Sequence, residues 1–142
     1  MPDITKIYTF CAAHQYHQPK WDKDKNYQVF GEDVKVHGHN YELKITVGGE
    51  INPDTGFIIN LTELNKAVHD RIISVLDHSQ IEKDIPWFRG KQPSTENLTL
   101  FIWDSLAGHI AAPAYLIRIS IKETPTIYTE YFGPKGDHHD PR

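Results

Sequence analysis

Apolar and polar residues alternate in two stretches near the start of the chain. Over residues 4–14, Tyr8, Phe10, Ala12 and His14 share one face, and Thr9, Cys11 and Ala13 the other. Over residues 36–48, His37, His39, Tyr41, Leu43, Ile45 and Val47 recur in the same way. A period of two predicts two half-buried β-strands. The period then changes. Leu61, Leu64, Val68, Ile72, Val75 and Leu76 recur at helical spacing, predicting a helix from near Asn60 to Asp77-His78. Asn60 and Glu63 have capping-box spacing, and Ile59 and Leu64 the spacing of a hydrophobic staple. A second helix is expected after Ser94 or Thr95, with Glu96 in its first turn, where the dipole favours negative charge. Leu98, Phe101, Ile102, Leu106 and His109 form its apolar stripe. Residues 115–123 predict a third strand, with Tyr115, Ile117, Ile119 and Ile121 on one face, and residues 126–132 a fourth.

The intervening stretches are polar. Residues 15–35, with Pro19, Trp21 and Gly31, predict a long loop, and such loops in compact domains are often functional. Asn52-Pro53-Asp54-Thr55-Gly56 predicts a turn, Phe57-Ile58-Ile59 a short extended piece, and residues 79–93 a second irregular stretch. The order ββααββ places the chain in the α+β class: an antiparallel sheet with two helices on one face. Its exposed edges would need covering, which points to oligomerisation.

Composition narrows the function classes. A length of 142 residues, 39% of them hydrophobic, fits a single domain over 1–135. Residues 136–142 predict a flexible polar tail, in which His138 and His139 read as solvated. A net charge of -4 argues against a nucleic-acid surface. No apolar run is long enough to span a bilayer, and no secretory signal precedes the first strand. Cys11 is the sole cysteine, so no internal disulfide can form, and a cytoplasmic location is expected.

Three histidines carry the candidate chemistry. His37 and His39 point to one face of a strand, and His14 ends the strand before it. A lone histidine is ordinarily a scattered polar residue; this arrangement is not. Three imidazoles with one position open are the usual make-up of a catalytic zinc site, although imidazole also suits iron, nickel and copper. Gly38 between the pair lets backbone or ligand approach closely. His17 is nearby but on the loop side, outside this set. Asp77 beside His78 reads either as a general acid/base pair or as an ordinary helix end, where histidine is favoured by the dipole. Glu123 ends an apolar strand face. It is either exposed there or set to accept paired N–H donors from a heterocycle.

Together these segments resemble the 6-pyruvoyl-tetrahydropterin synthase / 6-carboxytetrahydropterin synthase family. The matching pieces are Phe10-Cys11-Ala12-Ala13-His14, His37-Gly38-His39-Asn40-Tyr41, Asp54-Thr55-Gly56-Phe57-Ile58-Ile59-Asn60, Leu76-Asp77-His78, Pro93-Ser94-Thr95-Glu96-Asn97-Leu98 and Lys122-Glu123-Thr124. They span residues 10–124 in the family's order. The resemblance implies the tunnelling fold, in which sheets join into a barrel on oligomerisation, typically as a hexamer of two stacked trimers with sites at subunit interfaces. It implies Zn2+ on His14, His37 and His39, Glu123 anchoring a pterin with Thr95 and Glu96 lining its pocket, and Asp77 with His78 as a proton relay. The implied substrate is 7,8-dihydroneopterin triphosphate.

One departure bears on the reaction. The family carries a cysteine base just ahead of His-Gly-His. Here that stretch is Phe30-Gly31-Glu32-Asp33-Val34-Lys35-Val36, with Asp33 at the expected spacing and Glu32 beside it. Cys11, three residues before His14, faces away on alternation. Asn60 stands where relatives often have Asp and remains a good cap. Two readings stay open: a zinc-dependent lyase with altered side-chain chemistry, or a catalytically reduced pterin-binding homologue. A related branch uses a glutamate and gives 6-hydroxymethyl-dihydropterin, so Asp33 or Glu32 as base is a variant of the first. A zinc-stabilised structural module leaves Glu123 and the long loop without a role. Lys20, Lys23, Lys25 and Lys35 read mostly as a solvated surface.

Overall fold

Four strands pair antiparallel in chain order: β1 (Asp3–His14), β2 (His37–Gly48), β3 (Tyr115–Thr124) and β4 (Ile127–Tyr131). The structure, a computed structural model, describes residues 1–134; the expected tail 136–142, with His138 and His139, lies outside the described residues. Helices cover one face of the sheet, as the α+β reading expects. They are α1 (Lys23–Phe30), α2 (Leu61–Val68), α3 (Ser74–Leu76), α4 (Ile81–Asp84) and α5 (Thr95–Leu106). Between sheet and helices lies a core of Phe10, Ala12, Tyr41, Leu43, Ile45, Val47, Ile119 and Ile121 against Leu64, Val68, Ile72, Leu76, Leu98 and Ile102. Each large side chain so buried contributes about 1.5–3 kcal/mol. No helix among the described residues is long and apolar enough to cross a membrane.

The first predicted helix forms, but not as one regular cylinder. Asn60 caps α2, accepting from the Thr62 N–H at 2.9 Å. A π-helical turn, His69–Ile73, then joins α2 to α3. The buried positions Leu64, Val68, Ile72 and Leu76 are four apart throughout. On a regular helix, positions four apart drift by about 40° each. The wider π turn takes up that drift and keeps all four toward the sheet.

Several expectations need correction. Residues 15–35 are not a loop: they carry α1 and a 3-10 turn at Gly31–Val34. Asp22 caps α1, accepting from the Lys25 N–H at 2.8 Å. Asn26, 3% exposed, accepts from the Gln18 N–H at 2.7 Å and donates to the carbonyls of Gln18, Trp21 and Asp22. A polar hub, not an apolar stripe, holds this helix. The irregular stretch 79–93 contains α4 and a 3-10 turn at Pro86–Phe88. His109 is exposed outside the α5 stripe. In β3 a bulge falls between the pairs Thr46–Arg118 and Val47–Leu116. It swaps the faces beyond it, so Leu116, rather than Tyr115 or Ile117, joins the core cluster.

Asn26→Ala is expected to destabilise the fold by about 1–3 kcal/mol, because three carbonyls and one N–H lose their buried partner. Urea unfolding, with limited proteolysis of residues 15–35, measures it.

Candidate metal centre and its surroundings

The site is built on the register of β1 against β2. His14 pairs with His37, Ala13 with Gly38 and Ala12 with His39. A Cβ on Gly38 would sit 3.2 Å from the Ala12 carbonyl oxygen, so the missing side chain permits this close approach. The pairing sets three imidazoles on the helix-covered face. The Nε2 of His14 lies 3.0 Å from that of His37 and 3.2 Å from that of His39.

Two outer contacts fix the tautomers. His14 Nδ1 lies 2.9 Å from the Pro93 carbonyl and His37 Nδ1 lies 2.8 Å from the Lys35 carbonyl. A carbonyl only accepts, so both Nδ1 atoms carry the proton when neutral and both Nε2 atoms present lone pairs. Burial, with the neighbouring imidazoles, also lowers the His39 pKa and keeps it neutral. Converging neutral lone pairs repel unless a cation lies among them. The donor set therefore fits a divalent metal, and these three histidines form the mutually close donor cluster among the described residues.

Two carboxylates flank this cluster. Glu123 Oε1 is 3.6 Å from Nε2 of both His14 and His39, and Asp33 Oδ1 is 3.5 Å from Nε2 of His37. Glu123 sits where the β3–β4 pairing shifts between Lys122 and Thr124, an irregularity of the kind that re-aims a side chain. Asp33 is delivered by the 3-10 turn after α1. Its carbonyl accepts the Tyr16 N–H at 2.9 Å, and Gln15 Nε2 donates to the Val34 carbonyl at 2.9 Å. Glu32 is placed differently: it is exposed and pairs with Lys35 Nζ at 2.7 Å and the Tyr27 hydroxyl at 2.6 Å. Those contacts lower its pKa, Lys35 foremost.

The start of α5 borders the same region, since Pro93 holds His14 and Ser94 caps the helix. Thr95 is buried, with its hydroxyl 2.7 Å from that of Thr129 and 3.1 Å from Glu96 Oε1. Glu96 itself is exposed.

Asp77 and His78 lie at the open edge of β1. The Cys11 N–H donates to Asp77 Oδ1 at 2.8 Å, and the His78 N–H to the Cys11 carbonyl at 2.5 Å. This dipeptide thus takes the place of a neighbouring strand. His78 has φ 65°, a left-handed conformation that costs a non-glycine residue about 1–2 kcal/mol. Its Nδ1 lies 2.8 Å from Asp77 Oδ2, and its side chain is 82% exposed. The Cys11 N–H, and then His78, lower the Asp77 pKa and keep it ionised. The Cys11 residue is exposed.

Two residues of the site carried no functional expectation. Tyr16 packs its ring 5.1 Å from that of His14 and stacks on Phe30 at 5.4 Å. Burial and the charges of Glu123, Glu96 and Asp33 raise its pKa. Tyr41 is fully buried, its hydroxyl 3.4 Å from His14 Nδ1. Tyr41 follows His39 by two residues on β2, the spacing that keeps a strand side chain on the same face, and Tyr16 lies two residues past His14, just beyond the end of β1.

Residues 3–134 match the family described as 6-pyruvoyl tetrahydropterin synthase. A 6-pyruvoyl tetrahydrobiopterin synthase of Drosophila melanogaster is 38% identical over 133 residues, covering 92% of this chain and 79% of that protein. A 6-carboxy-5,6,7,8-tetrahydropterin synthase of Bacillus subtilis is 33% identical over 111 residues, covering 75% of this chain and 74% of that protein. The solved 6-pyruvoyl tetrahydropterin synthase of Caenorhabditis elegans superposes with a TM-score of 0.85 at 30% identity, covering 94% of this chain and 98% of that one. With its sheet order and histidine cluster, this chain belongs to the 6-pyruvoyl tetrahydropterin synthase family.

Proposed function

We propose that this chain is a zinc-dependent carbon–oxygen lyase acting on 7,8-dihydroneopterin triphosphate, with Asp33 in the place of the family's cysteine base. The observation that carries the reading is the pair of carboxylates set on different members of the histidine cluster. Asp33 lies against His37, and Glu123 against His14 and His39. Neither belongs to the donor cluster itself, so both are free for roles toward substrate.

His14, His37 and His39 would hold the metal, which in this site supplies Lewis acidity toward the substrate's side-chain oxygens. The remaining roles belong to the chain. Glu123 accepts the paired N–H groups of the pterin ring, and Thr95 and Glu96 border that ring. Asp33 takes the proton from the side-chain carbon as triphosphate departs. Asp77 orients His78 through Nδ1, leaving Nε2 to move a proton. Its exposure at the sheet edge suits a hexamer of two trimers with sites between subunits.

A second reading has its own support. A carboxylate is an intrinsically weaker base than a thiolate, and Asp33 is 60% exposed. A pterin-binding homologue of reduced activity follows if Asp33 fails as base. Cleavage to 6-hydroxymethyl-dihydropterin follows if it acts as the glutamate of the related branch does.

Incubating the zinc-loaded protein with dihydroneopterin triphosphate is expected to release triphosphate, and the pterin product names the branch. Unchanged substrate with tight pterin binding would establish the second reading. Asp33→Ala is expected to lower turnover by about a hundredfold or more, the scale of a lost general base, while Glu32→Ala stays near wild type. Full activity in both, singly and together, removes the replacement-base idea. His37→Ala is expected to lose stoichiometric metal by elemental analysis; undiminished zinc would contradict the ligand assignment.

A further inference from the structure

Tyr16 has no part in the roles above, yet it lies at their centre. It follows His14 by two residues, and its ring packs against that imidazole and stacks on Phe30. Its backbone N–H is tied to Asp33. The charges of Glu123, Glu96 and Asp33 all act on its phenol. The residue is half-buried, and its hydroxyl makes no hydrogen bond among the described residues.

The groups around it are acceptors. Three carboxylates and the histidine lone pairs offer no proton when ionised and neutral, and the Thr95 hydroxyl is engaged with Thr129 and Glu96. A substrate whose ring N–H groups are donors matches Glu123. A side chain rich in hydroxyl and carbonyl oxygen needs a donor as well, and the unspent phenol supplies one. An uncharged donor also suits a site whose carboxylates would oppose a further negative group.

We propose that Tyr16 donates its O–H to an oxygen of the substrate's C6 side chain, and so sets a preference for pterins carrying an oxygenated side chain over the bare ring. The proposal rests on the pterin reading above. Tyr16 is then a substrate-positioning residue for which the aromatic ring alone is no substitute, because a site built to hydrogen-bond an oxygen discriminates against the analogue that lacks it.

Tyr16→Phe keeps the ring contacts with His14 and Phe30 and removes only the hydroxyl. Fluorescence titration of the zinc-loaded wild type and variant with neopterin and with pterin, two compounds that differ in the side chain, tests it. The expected result is a neopterin affinity about three- to tenfold weaker in the variant, the scale of one neutral hydrogen bond. Pterin affinity and zinc content should be unchanged. Unchanged neopterin affinity, or an equal loss for both compounds, overturns the proposal. Binding of neither compound by the wild type overturns the pterin reading itself, and the proposal with it.

Discussion

The register between β1 and β2 is the constraint on which the rest of the molecule depends. Pairing His14 with His37 and Ala12 with His39 brings three Nε2 atoms to one point and sends Phe10, Tyr41 and Leu43 into the core. Side-chain direction alternates along a strand, so a slip of one residue would turn every one of these groups to the other face. The same apolar positions that stabilise the sheet thereby fix the site. Burial of the core selects the register, and the histidines follow from it.

The other parts of the site are hung on this frame by contacts to backbone. Pro93 ties the head of α5 to His14, and Lys35 ties the turn after α1 to His37. Tyr16 stacks on Phe30, and Phe30 on Trp21, so an aromatic row leads from His14 into the α1 segment. Asp33 therefore stands against His37 although its own side chain is largely exposed. The position of an exposed carboxylate is here the work of half-buried stacked rings and of the Asn26 hub.

Much of this was legible in the chain because burial writes a period. The alternation along both stretches placed the two histidine-bearing strands to within a residue, and the spacing of Leu64, Val68, Ile72 and Leu76 placed the long helical segment. What escaped had no periodic mark. The α1 helix leaves Tyr27 and Val29 exposed and buries an asparagine instead. Its one sequence signal was the cap at Asp22. The bulge in β3 escaped because Tyr115, Ile117 and Ile119 continue an apolar alternation straight through it. At the site, residue types pointed to the three histidines, which the structure brings together, and set Asp77-His78 and Glu123 beside them as candidates. Spacing set Asp33 ahead of Glu32, and their contacts separate them: Asp33 lies against His37, whereas Glu32 pairs with Lys35.

The π turn at His69–Ile73 has a consequence for how this segment can change in length. It absorbs one residue more than a regular turn would hold, so losing a residue there would leave a plausible, even more regular, helix. The buried positions would then be spaced four, three and four apart, which on a regular helix holds them within about 60° of one another. Leu76 would keep facing the core, and Asp77 would still follow it toward the Cys11 N–H. Within the turn His69, Asp70 and Arg71 are exposed while Ile72 is fully buried, so the room for change lies in the first three positions. The turn is thus a place where the segment can lose one residue without moving the Asp77-His78 pair that follows it.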